Sequence, residues 1–178
     1  PNGMIGPSFA FSPTYPYSCN PEDILAAEDA EDINCSWWLD VYCKGTYPSF
    51  TLKNYEKLGI APVIEDEELE LLEKGKADFI GINYYRTSTV AMNPLDGVTG
   101  NYRMNNSGEK GTQEEGGIPG VYKNKKNPHL DSTNWDWEID STGLRIGLRR
   151  LTSKYGLPIL ITENGLGEFD KLQEGDVI

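Results

Sequence analysis

The stretch Pro158-Ile159-Leu160-Ile161-Thr162-Glu163-Asn164-Gly165 decides the architecture. Three branched apolar residues in a row, closed by an Asn-Gly turn signal, read as a strand covered on both faces. An upstream segment repeats the pattern. Ala77-Asp78-Phe79-Ile80-Gly81-Ile82-Asn83-Tyr84-Tyr85 is β-branched and aromatic, and it also reads as a buried strand. A third apolar run covers residues 4–10, between Gly3 and Pro13.

Helical signals fill the intervals. Asn20 suits an N-cap, Pro21 the first helical position, and Glu22 and Asp23 the positive helix end. Ile24, Leu25, Ile33, Trp37, Trp38 and Val41 are expected to carry this helix toward a stop at Gly45. A second helix is expected over residues 49–58, ended by Gly59. A third covers residues 65–74, with Leu69, Leu71 and Leu72 as its apolar part and Gly75 as its stop. The acidic run of residues 65–73 reads as a solvated helix face. Asp140 or Ser141 opens a further helix through Leu144, Leu148, Leu151 and Tyr155, closed by Gly156. Arg145, Arg149, Arg150 and Lys154 read as its wet face, with a phosphate site at Arg149 and Arg150 as the weaker alternative. Residues 11–19 read as turns, and the glycine-rich, polar residues 86–134 as one long loop.

Strands alternating with helices imply right-handed crossovers and a parallel sheet. The fold class is therefore α/β. Three strands are few for a complete α/β domain. The 178 residues fall short of the about 250 that an eight-stranded barrel takes. The start Pro1-Asn2-Gly3-Met4 does not resemble a natural N-terminus. Residues 1–178 are expected to form a single segment of something larger.

Composition removes several functions. With 16 Lys+Arg against 28 Asp+Glu, the net charge of -12 repels phosphate backbones and argues against nucleic-acid binding. No apolar run approaches the roughly 20 residues of a membrane span, and no secretory signal opens the chain. The 11% aromatic content argues against disorder. Cys19, Cys35 and Cys43 are odd in number and lack C-x-x-C spacing, which fits free thiols in a reducing cytoplasm. His129 is the single histidine, so zinc sites needing two or three are excluded. Phosphate-loop motifs are absent. Carboxylate chemistry is what remains plentiful.

Two apolar strands end in polar residues, Asn83-Tyr84-Tyr85 and Thr162-Glu163-Asn164. In α/β barrels the active site gathers at the carboxyl ends of the strands. Glu163 is expected there with limited solvent, with Asn83 and Tyr85 as suitable donors. From position alone, Glu163 reads equally as a strand-end carboxylate bonding a loop. Asn83 alone reads as a turn residue, and Tyr84 and Tyr85 alone as core.

Taken together these segments resemble family 1 glycoside hydrolases. Ile161-Thr162-Glu163-Asn164-Gly165 is similar to that family's nucleophile motif, and residues 78–85 to its strand-six motif. Trp137-Glu138-Ile139 with Gly143-Leu144 resembles the segment leading into its sixth barrel helix. Gly45-x-Tyr47-Pro48 is also family-like, and the order and spacing agree along essentially the whole chain. Residues 134–140 and 165–170 are most similar to bacterial 6-phospho-β-glucosidases.

The resemblance implies part of a (β/α)8 TIM barrel, about strands five to seven. It implies retaining hydrolysis of a phosphorylated β-glucoside with Glu163 as catalytic nucleophile. Tyr85 would donate a hydrogen bond that keeps Glu163 ionised and aimed, and Asn83 would steady the acid/base side. Trp135 and Trp137 are candidates for stacking a sugar or aglycone, with interior packing as an equal reading. No metal or organic cofactor is implied. Because phosphorylated disaccharides arise by phosphotransferase uptake, a cytoplasmic enzyme is implied. The family's Asn-Glu-Pro acid/base motif does not occur in these 178 residues. Its Ser, Lys and Tyr phosphate site is expected beyond Ile178. A β-glucosidase, a 6-phospho-β-galactosidase and a non-catalytic acidic binding piece are the rival readings.

Overall fold

The computed structural model describes residues 3–95, 105–113 and 116–169. In chain order the elements are β1 (Ser8–Ala10), β2 (Thr14–Pro16), α1 (Pro21–Glu31), α2 (Trp37–Leu39), α3 (Ser49–Leu58), α4 (Asp66–Lys74), β3 (Ile80–Tyr84), β4 (Ser88–Met92), β5 (Gly117–Ile118), β6 (Tyr122–Asn124), α5 (Ser141–Tyr155) and β7 (Ile159–Asn164).

The three expected strands form one parallel sheet in the order β1-β3-β7. Residues 4–7 lie outside the strand proper, because Pro7 has no N–H to give to a ladder. Their carbonyls still serve it: Ile5 O accepts from Asp78 N at 2.7 Å and Pro7 O from Gly81 N at 2.7 Å. β3 puts Ile80 and Ile82 into the core with Phe11, Cys35, Leu39 and Leu151. α5 packs on this side through Leu144, Leu148 and Tyr155, leaving the opposite face to Gly81 and Asn83.

Gly147 lets α5 settle onto Phe11. A Cβ there would stand 2.5 Å from Phe11 Cε1 and 2.8 Å from Pro13 Cγ. Gly147→Ala is therefore expected to destabilise the fold by about 1–3 kcal/mol, through forced displacement of core rings. Chemical denaturation would show the loss as a lower midpoint; an unchanged midpoint would refute this packing.

The first helix departs from expectation in two ways. Its buried side is Asp23, Ala26, Ala27 and Ala30, while Leu25 is 62% exposed and Ile24 and Ile33 are also solvent-facing. Small residues let the backbone approach β2 and β4, so volume and not apolarity selects the inward face. Past Glu31 the helix widens into π turns at Asp32–Ser36 and Asp40–Lys44, on either side of α2, before Gly45 ends it at φ 68°. The second π turn is held by Tyr155 Oη, which donates to Asp40 Oδ1 at 2.7 Å. Asn20 caps the start as expected, accepting from Glu22 N at 3.2 Å.

Residues 86–134 are not one long loop. They supply β4, β5 and β6, which join β2 from the expected turn region in a second sheet ordered β2-β4-β6-β5. β2 runs parallel to β4, and β6 runs antiparallel to both β4 and β5. Its buried residues include Thr87, Thr89, Asn93 and Asn127. These bond one another and the backbone: Asn127 Nδ2 donates to Thr89 Oγ1 at 2.9 Å, and Asn93 Nδ2 to Tyr122 O at 3.3 Å. Beside a small apolar cluster of Val90 and Tyr122 with Ala26, Ala27 and Ala30, these buried amides and hydroxyls carry no apolar signature. No helix of the described residues is long and apolar enough to cross a membrane.

Candidate active site

β3 and β7 bring the two polar strand ends together. Ile82 pairs with Ile161, but Asn83 pairs with Glu163, so Thr162 is an extra residue in β7. Such a bulge re-aims the side chains that follow it. The displaced Thr162 hydroxyl lies 2.6 Å from Asn83 Oδ1, 3.0 Å from Ile82 O and 2.9 Å from Ser8 Oγ. One hydroxyl thus stitches all three strands at the level of the site. Asn164 Nδ2 donates to Tyr84 O at 2.7 Å just beyond it.

Tyr85 Oη donates to Glu163 Oε2 at 2.6 Å. The bond crosses from the end of one strand to the end of the next. Its acceptor, before burial or charge, is the first cause that raises the Tyr85 phenol above its ordinary range, because loss of the proton would set two anions face to face. Asn83, expected as a donor to Glu163, instead accepts at Oδ1 from Thr162 Oγ1 at 2.6 Å and from Ser8 Oγ at 3.4 Å. Glu163 is exposed along the described chain, not shielded as position alone suggested. Only one other strand, β3, flanks β7 here.

The two tryptophans take different positions. Trp137 lies against Tyr85, with ring centroids 5.5 Å apart at 53°. Trp135 instead pairs with Phe169, centroids 4.6 Å apart. Gly167 threads between them; a Cβ there would meet Trp137 at 3.1 Å and Trp135 at 3.3 Å. Glu168 fixes this crossing by accepting from Asn134 N at 3.2 Å and from the Asn134 amide. The loop leaving β7 and the loop carrying the tryptophans thereby make one lip.

Further residues organise the lip: Asp136, to which the sequence assigns no role, and Asp140, expected only as a helix start. Asp136 sits at φ 60°, a conformation short polar side chains tolerate. Its carboxylate accepts from Gly111 N at 2.8 Å, Asn105 Nδ2 at 2.9 Å and Gln113 N at 3.2 Å. Burial pushes this carboxyl up, yet those donors outweigh it and hold it below the usual range. Asp140 caps α5 through Gly143 N at 2.8 Å and accepts from Tyr15 Oη at 2.8 Å and Thr87 Oγ1 at 3.2 Å. β2, the residue preceding β4 and α5 meet at that one carboxylate. Arg150 donates to Thr14 O at 3.1 Å and Lys154 to Ser36 Oγ at 2.8 Å, so both are tied to the second sheet or the first helix rather than to a phosphate site.

Parallel strands joined by crossover helices, with polar side chains at their carboxyl ends, define the (β/α)8-barrel class, here as three of its strands. The glycosyl hydrolase family 1 profile matches residues 1–178, and the chain belongs to that family. It is 62% identical over 177 residues to the aryl-phospho-beta-D-glucosidase BglC of Bacillus subtilis, covering 99% of this chain and 37% of that protein. It is 37% identical over 175 residues to the aryl-phospho-beta-D-glucosidase BglA of the same organism, covering 98% of this chain and 33% of the relative. Among solved structures, a beta-glucosidase from Exiguobacterium marinum superposes with TM-score 0.71 at 25% identity, over 98% of this chain and 34% of its own. The chain thus spans about a third of the length of the relatives it matches.

Proposed function

We propose that residues 1–178 form one segment of a family 1 barrel and supply the nucleophile side of a retaining glycosidase acting on 6-phospho-β-glucosides. The observation that carries this reading is the 2.6 Å bond from Tyr85 to Glu163 across adjacent strand ends. It presents one carboxylate oxygen to a donor and leaves the other for attack. In the reaction, that oxygen bonds to the anomeric carbon. The glycosidic bond breaks, and the leaving oxygen takes a proton from a second carboxylic acid elsewhere in the barrel. Water then cleaves the glycosyl ester and regenerates Glu163. Trp137 and Trp135 frame the entrance, where an aromatic face meets the apolar face of a sugar or an aryl aglycone.

The phosphorylated substrate is favoured over a plain β-glucoside by identity: 62% to an aryl-phospho-glucosidase against 25% to the β-glucosidase structure. A phosphorylated sugar does not leave the cell readily, which fits a cytoplasmic enzyme. So do the three unpaired cysteines, of which Cys35 is pushed up to about 12 and Cys43 to about 11 chiefly by burial.

The test is covalent trapping in the complete barrel with an aryl 2-deoxy-2-fluoro-6-phospho-β-glucoside. The fluorine slows hydrolysis of the glycosyl ester, so one sugar equivalent is expected on the peptide containing Glu163. A label on another residue refutes the assignment. Tyr85→Phe is expected to lower kcat by about 10- to 100-fold with little change in KM, the loss of one bond to a charged partner. A kcat within twofold of the parent would remove Tyr85 from the site.

A further inference from the structure

Tyr85 and Trp137 are each followed by a charged residue, and those two residues meet. Arg86 Nη1 stands 3.6 Å from Glu138 Oε2, with side chains only 15% and 7% exposed. The rings of Tyr85 and Trp137, the residues just before them in sequence, also meet, with centroids 5.5 Å apart. The strand-end residues 85–86 and the lip residues 137–138 are therefore joined twice, by a ring contact and by a largely buried ion pair.

Both partners are anchored independently. Arg86 Nη1 also donates to Gln113 Oε1 at 3.3 Å, which ties the pair to the loop that Asp136 holds. Glu138 lies in a short hairpin: it bridges Ser132, and Thr133 N donates to Trp137 O at 2.9 Å while Ile139 N donates to Asp131 O at 2.9 Å. Among the described residues, Glu138 Oε2 has no hydrogen-bond partner, so Arg86 answers its charge through space rather than through a bond. Burial, the largest cause, pushes the Glu138 carboxyl above its ordinary range; Arg86 opposes that, Lys126 opposes it more weakly, and Asp136 adds to it. A pair so placed costs more in desolvation than a plain apolar contact would.

We propose that the Arg86–Glu138 pair is a positioning brace that fixes Tyr85 against Glu163. The inference rests on Glu163 as the nucleophile. The pair touches neither substrate nor reacting atoms. It sets the separation of two backbones, and the phenol that aims the carboxylate hangs from one of them. Misplacing a catalytic group by about 1 Å can cost up to two orders of magnitude in rate.

A brace acting through Tyr85 predicts non-additivity, which a purely structural pair does not. In the complete barrel, Glu138→Gln is expected to lower kcat about tenfold and to leave KM within about twofold. In the Tyr85→Phe background the same change is expected to lower kcat by less than about twofold, because the bond it disturbs is already gone. Glu138→Gln removes the charge that faces Arg86 and is expected to lower the melting temperature. Arg86→Met with Glu138→Leu removes both charges and is expected to restore the melting temperature, yet to keep the tenfold loss and its dependence on Tyr85. Equal effects in both backgrounds, or a kcat that recovers together with the melting temperature, would overturn the brace. Glu163→Gln assayed alongside separates the failures. Activity surviving that change sinks the nucleophile reading and the brace with it, whereas activity lost there with additive effects elsewhere sinks the brace alone.

Discussion

Glu163→Gln, made in the complete barrel, is expected to lower kcat for an aryl 6-phospho-β-glucoside by about 10⁴-fold or more, with the fold intact. The amide is nearly isosteric with the carboxylate, and its oxygen can still accept from Tyr85 Oη, which now stands 2.6 Å from Glu163 Oε2. What it lacks is the charge and basicity to form a glycosyl ester. Because the amide nearly matches the carboxylate in size and keeps the bond to Tyr85, the change is expected to move the melting temperature by only a degree or two. A loop-bonding carboxylate would give the opposite result, a lower melting temperature with kcat nearly unchanged. Glu163→Ala refines the test. Azide entering the space left by the carboxylate attacks the anomeric carbon from that face and gives the inverted α-glycosyl azide. If the acid/base residue were the one removed, azide would instead intercept the glycosyl-enzyme and give the β-azide. The configuration of the product therefore decides which of the two carboxylates Glu163 is.

The parts of the fold legible in the sequence were those with redundant local signals. Ile159 to Ile161 and Ile80 to Ile82 announce strands by apolar runs, although only β3 is buried and β7, expected to be covered on both faces, is largely exposed along the described chain; Asn20-Pro21 and Gly156 mark helix ends by capping chemistry. The second sheet was hidden because much of what it buries is polar, at Thr87, Thr89, Asn93 and Asn127, and hydrophobicity does not register buried amides and hydroxyls. The inward face of α1 was hidden because Ala26, Ala27 and Ala30 are chosen for size. At the site, Glu163 and Tyr85 were legible as polar residues ending apolar strands. The bulge at Thr162 was not, since register depends on the partner strand. Asp140 was legible as a helix start and Glu138 as part of a family-like segment, but the distant partners of Asp136, Asp140, Arg86 and Glu138 were not, since only folding brings them within reach.

The 178-residue polypeptide expressed by itself is expected to hydrolyse no aryl 6-phospho-β-glucoside, at a rate indistinguishable from buffer. A retaining glycosidase places two carboxyl groups about 5–5.5 Å apart, one to attack and one to protonate the leaving oxygen. The sequence contains no Asn-Glu-Pro to supply the second. Without the acid, the aglycone departs as an unprotonated oxyanion, and the barrier to the first step rises. The scaffold compounds the loss. β1 and β7 are the edges of the parallel sheet, and each presents unpaired backbone groups to solvent. Apolar side chains that a closed barrel covers are open beside them: Ile5 is 80% exposed and Leu160 54%. Such edges pair with copies of themselves, so the isolated polypeptide is also expected to self-associate as its concentration rises. The assay is continuous release of the aryl group at increasing polypeptide concentration, with sedimentation run on the same samples. Turnover proportional to concentration would mean that a second carboxylate already faces Glu163 within these residues, and the division of the machinery proposed above would fall.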